Sequence, residues 1–304
     1  MSQESNLYNI GVVERETGIG KDTLRVWERR YGFPVPVRDQ NEDRLYPGEQ
    51  VNRLRLIKRL LDSGMRPAKV VGLQEQELNA LLKEAPNPHS DTSVELLEFM
   101  QLIKSHQGVE LRVALSRALM RQGMSDFLSR TIAPLSMLVG DAWLRGEIRV
   151  FEEHLYSEQV NSVLRTAIST IRHASGTPRV LLTTLPGEEH SLGLLMVEAT
   201  LSLCGAHCIM LGVQTPIGEI VQAVQAHKVD VLILTFSSAM PTRQVRSGIE
   251  QMRNALPEPV AFWVGGSGVQ KQSNDELGTQ VMVTLSDLND AVTSWREANS
   301  ARNG

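Results

Sequence analysis

Cysteine is scarce in this chain: 304 residues contain two, Cys204 and Cys208. Two thiols so close together build no disulfide framework, which excludes a small disulfide-stapled secreted fold and fits a reducing, cytoplasmic setting. No run of about 18 apolar residues occurs, so no membrane span is expected. The opening Met1-Ser2-Gln3-Glu4-Ser5-Asn6 has no basic stretch followed by an apolar one, which argues against secretion. A GxGxxG stretch is also missing, and with it the signature of a dinucleotide site. The net charge of −4 is small but uneven. The first 70 residues hold 13 Lys and Arg against 10 Asp and Glu, and the remainder 18 against 25. A basic N-terminal segment permits a nucleic-acid partner there. A chain of this length has room for two or three domains.

Tyr8 to Thr17 reads as a short helix with Ile10 and Val13 apolar, Gly18-Ile19-Gly20 as a turn, and Lys21 to Arg30 as a second helix. Two short helices around a glycine-bearing turn form the helix-turn-helix pattern. Lys21, Thr23, Arg25, Arg29 and Arg30 on the second helix suit phosphate and base-edge contacts, while Trp27 is expected in the core. Gly32, Pro34 and Pro36 forbid a continued helix. Asn41-Glu42-Asp43 is a turn, and Arg44-Leu45-Tyr46 is extended, so a small wing follows the reader helix. Val51 to Ser63 is an amphipathic helix, ended by Gly64.

The stretch Leu24 to Pro34, the Arg44-Leu45-Tyr46 piece and the helix after it resemble the MerR family of transcription regulators over some 65 residues. The resemblance implies a winged helix-turn-helix that binds double-stranded DNA as a dimer. It extends the set of DNA contacts to Tyr31, Arg38, Arg44 and Tyr46.

Ala85-Pro86-Asn87-Pro88-His89-Ser90-Asp91 reads as a linker. Four helical patterns follow, Ser93–His106, Val109–Gln122, Ser125–Arg145 and Val150–Ala174, with turns at Gly108, Gly123 and Gly146. Short connections predict a four-helix bundle. Trp143 ends the third helix and Glu153-His154 opens the fourth, so the three fall near one end of the bundle. An aromatic ring, a carboxylate and an imidazole there can bound a planar, hydrogen-bonding ligand. Packing or dimerisation alone is the other reading of this segment.

From residue 177 strands and helices alternate. Strands are expected at Val180–Thr184, His207–Leu211, Val231–Thr235, Val260–Val264 and Val281–Thr284. Such alternation predicts a Rossmann-like, flavodoxin-like five-stranded parallel sheet. Ligands of open α/β sheets bind outside the carboxyl ends of the strands. Three loops lie there: Pro186 to Gly193 with His190, Ser237-Ser238, and Gly265-Gly266. Cys204, His207 and Cys208 have a spacing that a metal could use. The two thiols nevertheless fall at a helix end and inside a strand, which favours structural thiols.

Glu188, His190 and Gly193 form Asp/Glu-x-His-x-x-Gly, and with Gly205, Leu211-Gly212 and Pro216 they resemble cobalamin-binding domains. That resemblance implies that His190 ligates cobalt from below in place of the cofactor's dimethylbenzimidazole, with Glu188 orienting the imidazole and Ser191 and Gly193 beside it. The displaced nucleotide tail would enter a slot lined by Ser237, Ser238, Gly265 and Gly266.

The three segments together, 1–85 DNA-binding, 86–176 four-helix bundle and 177–304 cobalamin-binding, resemble the CarH/LitR family of adenosylcobalamin photoreceptor repressors. Trp143, nine residues, then Glu153-His154 meets that family's bundle motif, which implies that these three side chains cover the adenosyl group. The family reading is a regulator and not an enzyme: a cytoplasmic homo-oligomer, a tetramer in the dark, that releases DNA once light breaks the Co–C bond. Leu144 departs from members that carry a histidine directly after the Trp, and leucine cannot ligate cobalt. Two other readings stay open from sequence. One is a regulator that senses cobalamin level without a light role; the other is a cobalamin carrier module of an enzyme.

Overall fold

A computed structural model describes residues 7–39, 42–62, 65–84, 93–171, 176–270 and 272–303. The expected linker at 85–91 and the helix stop at Gly64 lie outside them. The chain forms two compact units, one from Met1–Lys104 with Leu135–Glu153, the other from Ser105–Pro134 with His154–Gly304.

The first unit begins with β1 (Leu7–Asn9), α1 (Ile10–Thr17), α2 (Lys21–Tyr31), β2 (Val37–Arg38), β3 (Arg44–Pro47) and α3 (Gly48–Asp62). The helix expected from Tyr8 starts two residues later. Asn9 caps it, its Oδ1 accepting from the Val12 amide at 2.9 Å, and the preceding residues pair with β3 instead. An Asn that caps a helix cannot also lie within it. Gly18 and Gly32 end α1 and α2 at φ 65° and 68°, where a side chain would be strained. The wing is the antiparallel β2–β3 pair, in a sheet of order β1-β3-β2. Leu24, Trp27, Tyr46, Leu54 and Ile57 are among its core residues. Two short helices unforeseen from sequence, α4 (Pro67–Val70) and α5 (Glu75–Glu84), lend Val70 and Leu78 to this core.

The helical segment is shared between the units. Helices α6 (Val94–Lys104) and α9 (Ala133–Leu144) belong to the first, and α7 (Gly108–Gln122) and α8 (Met124–Asp126) to the second. The third helical pattern is not one regular helix. Between α8 and α9 runs a π-helical stretch, Phe127–Ile132, in which Phe127, Leu128, Thr131 and Ile132 are all buried. The i→i+5 bonding of a π turn breaks the regular α-helical repeat here. Helix α10 (Val150–Ser169) starts in the first unit and continues from His154 in the second.

The second unit is built on a parallel sheet of order β5-β4-β6-β7-β8: β4 (Arg179–Thr183), β5 (His207–Gly212), β6 (Val231–Thr235), β7 (Ala261–Gly265) and β8 (Gln280–Met282). Helices α11 (Leu192–Leu203), α12 (Ile217–Ala226), α13 (Thr242–Ala255), α14 (Asn274–Leu277) and α15 (Leu285–Asn303) connect and flank these strands. All five residues of β6 are buried, as a central parallel strand covered on both faces requires. The order is the flavodoxin-like one, with its switch point between β4 and β6. The loop carrying His190 leaves β4 and the loop carrying Ser237 leaves β6, so both open at that point.

Candidate functional site

After β4 the chain turns tightly, the Glu188 amide donating to the Leu185 carbonyl at 3.1 Å. The turn buries one of two nearby side chains and leaves the other at the surface. Glu188 is 1% exposed and His190 is 61% exposed. Glu188 Oε1 lies 2.6 Å from His190 Nδ1 and accepts the His190 amide at 3.1 Å. Glu188 Oε2 accepts the Ser237 amide at 2.7 Å and the Ser237 hydroxyl at 2.8 Å.

Burial pushes the Glu188 carboxyl up, but the hydrogen bonds from His190 and from the Ser237 amide outweigh it and hold the group below the usual carboxylate range. An ionised carboxylate only accepts. The proton of a neutral His190 ring therefore belongs on Nδ1, an assignment made from the bonding network. That leaves the lone pair on Nε2, on the side away from Glu188. Metal-ligating histidines are held in this way, with the second ring nitrogen donating to a carboxylate. The residues present thus fit a metal centre approaching His190 from solvent, such as the cobalt of a corrinoid.

Ser237 was expected in the wall of a slot. Its hydroxyl and amide are committed to Glu188, a bond spanning 49 residues for which the sequence offered no signal. Ser238 is exposed, and its amide donates to Ser267 Oγ at 2.9 Å. Gly265 closes β7 and is buried, and Gly266 follows at φ 93°. A Cβ on Gly266 would lie 2.4 Å from the Phe236 carbonyl oxygen. Here the glycine serves the approach of one strand-end loop to another. At Gly193 a Cβ would meet Thr235 only at 3.9 Å, so the chain's own packing does not demand glycine. Ser191, at the start of α11, is half-buried.

Cys204 donates to Asn289 Oδ1 at 2.8 Å. Burial, with the Glu198 carboxylate nearby, pushes the Cys208 thiol up to about 12. Such a thiol stays protonated at neutral pH, as a structural thiol does. Among the described residues, no group of three or more His, Cys, Asp or Glu is arranged to hold a metal ion.

In the first unit Trp143 is half-buried under the Arg55 guanidinium, which lies 4.6 Å from the ring centroid. One turn of α3 further on, Arg59 pairs with Asp141 at 3.2 Å. Helix α3 of the winged part therefore packs on α9 beside the tryptophan, a contact the sequence did not suggest. Glu153 is half-buried in the first turn of α10 and His154 is exposed. The Leu144 side chain lies outside the described residues.

On α2, Leu24 and Trp27 point inward while Lys21, Thr23, Arg25, Arg29 and Arg30 are exposed. Lys21 meets Glu14 at 3.3 Å, Arg25 meets Asp22 at 3.2 Å, and Arg38 meets Glu42 at 3.2 Å. Exposed pairs of this kind are worth little and give way readily to phosphate. Tyr31 is half-buried with Arg30 over its ring, and Arg44 is half-buried against Glu28 at 3.2 Å. Tyr46 is corrected. It is 0% exposed, on the inward face of the central strand β3, and so is a core residue and not a DNA contact.

Residues 8–77 match the MerR HTH family regulatory protein, and residues 178–285 match the B12 binding domain. Together with the fold they define the class: a transcription regulator that joins a winged helix-turn-helix to a cobalamin-binding domain. The chain is 30% identical to the HTH-type transcriptional repressor CarA of Myxococcus xanthus, over 97% of this chain and 98% of CarA. It is 27% identical to the HTH-type transcriptional repressor CarH of the same organism, over 86% of this chain and 90% of CarH. The chain belongs to this family of repressors. The structure of the Methanosarcina barkeri monomethylamine corrinoid protein shares the fold, with a TM-score of 0.53 at 16% identity over 64% of this chain and 94% of that one. No helix among the described residues is long and apolar enough to cross a membrane.

Proposed function

We propose that this protein is an adenosylcobalamin-dependent, light-responsive repressor. Residues 1–85 would read DNA, 86–176 would cover the cofactor and 177–304 would hold it. The observation that carries this reading is the buried Glu188 carboxylate fixing an exposed His190, at the switch point of the sheet. His190 would hold the cobalt through Nε2, while Glu188 and Ser237 keep the ring in its tautomer and aim. Ser238, Gly265 and Gly266 border the slot for the displaced nucleotide tail, with Ser191 and Gly193 close to the corrin. Trp143, Glu153 and His154 would cover the adenosyl group. The cofactor supplies a Co–C bond that light breaks. Ordering several copies around it places several reader helices on one operator, and loss of that order removes the gain from multivalency.

Size-exclusion chromatography of the full chain with adenosylcobalamin tests this. A larger species in darkness that becomes smaller after green light is the expected result. A larger species that ignores light would make the protein a sensor of cobalamin level, and no binding would overturn the cofactor assignment. For the reader helix, Arg29→Ala is expected to lower operator affinity by roughly 1–3 kcal/mol, about fivefold to 150-fold. Fluorescence anisotropy with a labelled operator duplex measures it, and an unchanged affinity would take Arg29 out of the interface.

A further inference from the structure

We propose that Thr184 and Gln214 are positioning residues for His190, acting as a clamp that sets the aim of its loop. The proposal rests on the cobalt-ligating role of His190 given above.

Thr183 ends β4 and Thr184 follows it, and both are 0% exposed. Buried hydroxyls need partners, and these two take different ones. Thr183 Oγ1 donates to the Gly212 carbonyl at 2.9 Å and lies 2.7 Å from Thr215 Oγ1. Thr184 Oγ1 donates to the Glu188 carbonyl at 2.7 Å and accepts the Gln214 amide at 2.8 Å. The Gln214 side chain reaches the same loop, its Oε1 accepting the Gly187 amide at 3.3 Å. The segment after β5 thus grips the His190 loop at Gly187 directly and at Glu188 through Thr184.

Three backbone features bring Gln214 into reach. The β4–β5 register slips, so that Leu182 pairs with Met210 but Thr183 with Gly212. Such a bulge re-aims the chain beyond it. Gly212 follows at φ 87° and Gln214 at φ 60°. Glutamine in the left-handed region is strained, and such strain persists only where the surroundings over-determine it. A turn alone would be met by glycine or asparagine. Glutamine adds an amide long enough to reach Gly187.

The gripped residue is a glycine. Gly187 sits at φ 91°, in a region that glycine enters and leaves freely. Glu188 follows it, with its carbonyl held by Thr184 and its carboxylate by Ser237. Two anchors on Glu188 fix the point from which His190 is oriented. With the Thr184 hydroxyl removed, a carbonyl and an amide lose their partner and the loop is free to turn at Gly187.

The test uses the full chain loaded with cobinamide, which lacks the nucleotide tail, so that only the protein can supply a lower nitrogen ligand. After reduction to cobalt(II), the nitrogen splitting in the electron paramagnetic resonance spectrum reports histidine coordination. Thr184→Val and Gln214→Gly are each expected to lower the ratio of coordinated to uncoordinated cobalt about tenfold, the usual effect of losing support behind a ligand. Thr184→Ser restores the hydroxyl and should restore the wild-type spectrum, which a loss of packing alone would not explain. Gln214 is exposed and glycine suits its backbone, so Gln214→Gly keeps the test valid should Thr184→Val fail to fold. Wild-type coordination in Gln214→Gly, or in a folded Thr184→Val, overturns the role of that residue. If wild type and His190→Ala give the same spectrum, the ligation reading itself is wrong, and the clamp falls with it.

Discussion

His190→Ala is expected to weaken cobalamin binding at least about tenfold, since loss of support behind a ligand already has that effect and here the ligand itself goes. The bound cofactor should keep its own dimethylbenzimidazole on cobalt, which absorption spectroscopy reads directly. The fold should survive. The His190 side chain is 61% exposed and so contributes little packing. Glu188 would retain the Ser237 amide and hydroxyl. The variant's melting temperature should fall by only a few degrees, for the lost hydrogen bond to Glu188, and its DNA affinity without cofactor should match that of the wild type. A variant with wild-type affinity and a protein-ligated spectrum would move the cobalt ligand elsewhere.

Gly266→Ala should be the most damaging small change near the site. Its φ of 93° is unsuited to alanine, and the new Cβ would lie 2.4 Å from the Phe236 carbonyl oxygen and 3.1 Å from the Phe236 amide nitrogen. Neither atom can yield cheaply. The Phe236 amide donates to Gly265 O at 2.9 Å and its carbonyl accepts the Gly268 amide at 2.9 Å. Backbone strain and overlap together predict a loss of about 3 kcal/mol, measured by chemical denaturation. Cobalamin affinity should fall as well, because Phe236 leads directly into Ser237 and so to Glu188. Gly193→Ala is the contrasting case. With 3.9 Å to Thr235 and a place in α11, it should leave stability equal or slightly higher while weakening cobalamin binding. A stable Gly266→Ala protein would show that the two loops do not need their close approach. Unchanged binding in Gly193→Ala would place the corrin away from that glycine.

Most of the elements were legible because their signals are local. The strands at 179–183 and 231–235 show as short apolar runs bounded by turn residues, and α3 as a stripe repeating every three to four residues. Gly18 and Gly32 marked helix ends because only glycine sits there without strain. Other elements depend on a distant partner that outweighs a short local signal. Leu7–Asn9 is too short to announce a strand, and becomes one by pairing with β3. That same pairing makes β3 central and turns Tyr46 inward, which removed it from the DNA surface. The π turn at Phe127–Ile132 has an apolar pattern that a regular helix also satisfies.

The chemistry divides along the same line. His190, with Glu188 two residues before it, is marked by the amino-acid order alone, as are the exposed cations of α2, because a loop or one helix face presents neighbours within a few residues. Strand order is not written locally. Hydrogen bonding in the order β5-β4-β6 put Ser237 beside Glu188 and Gln214 beside Gly187. Helix packing set Arg55 over Trp143 and Arg59 against Asp141, the latter pair 82 residues apart. Local spacing decides which residues share a face, whereas burial of both faces of the sheet decides which loops meet. A loop histidine two residues from a carboxylate was therefore evident from the sequence, and the groups that hold that pair in place became evident only from the packed sheet.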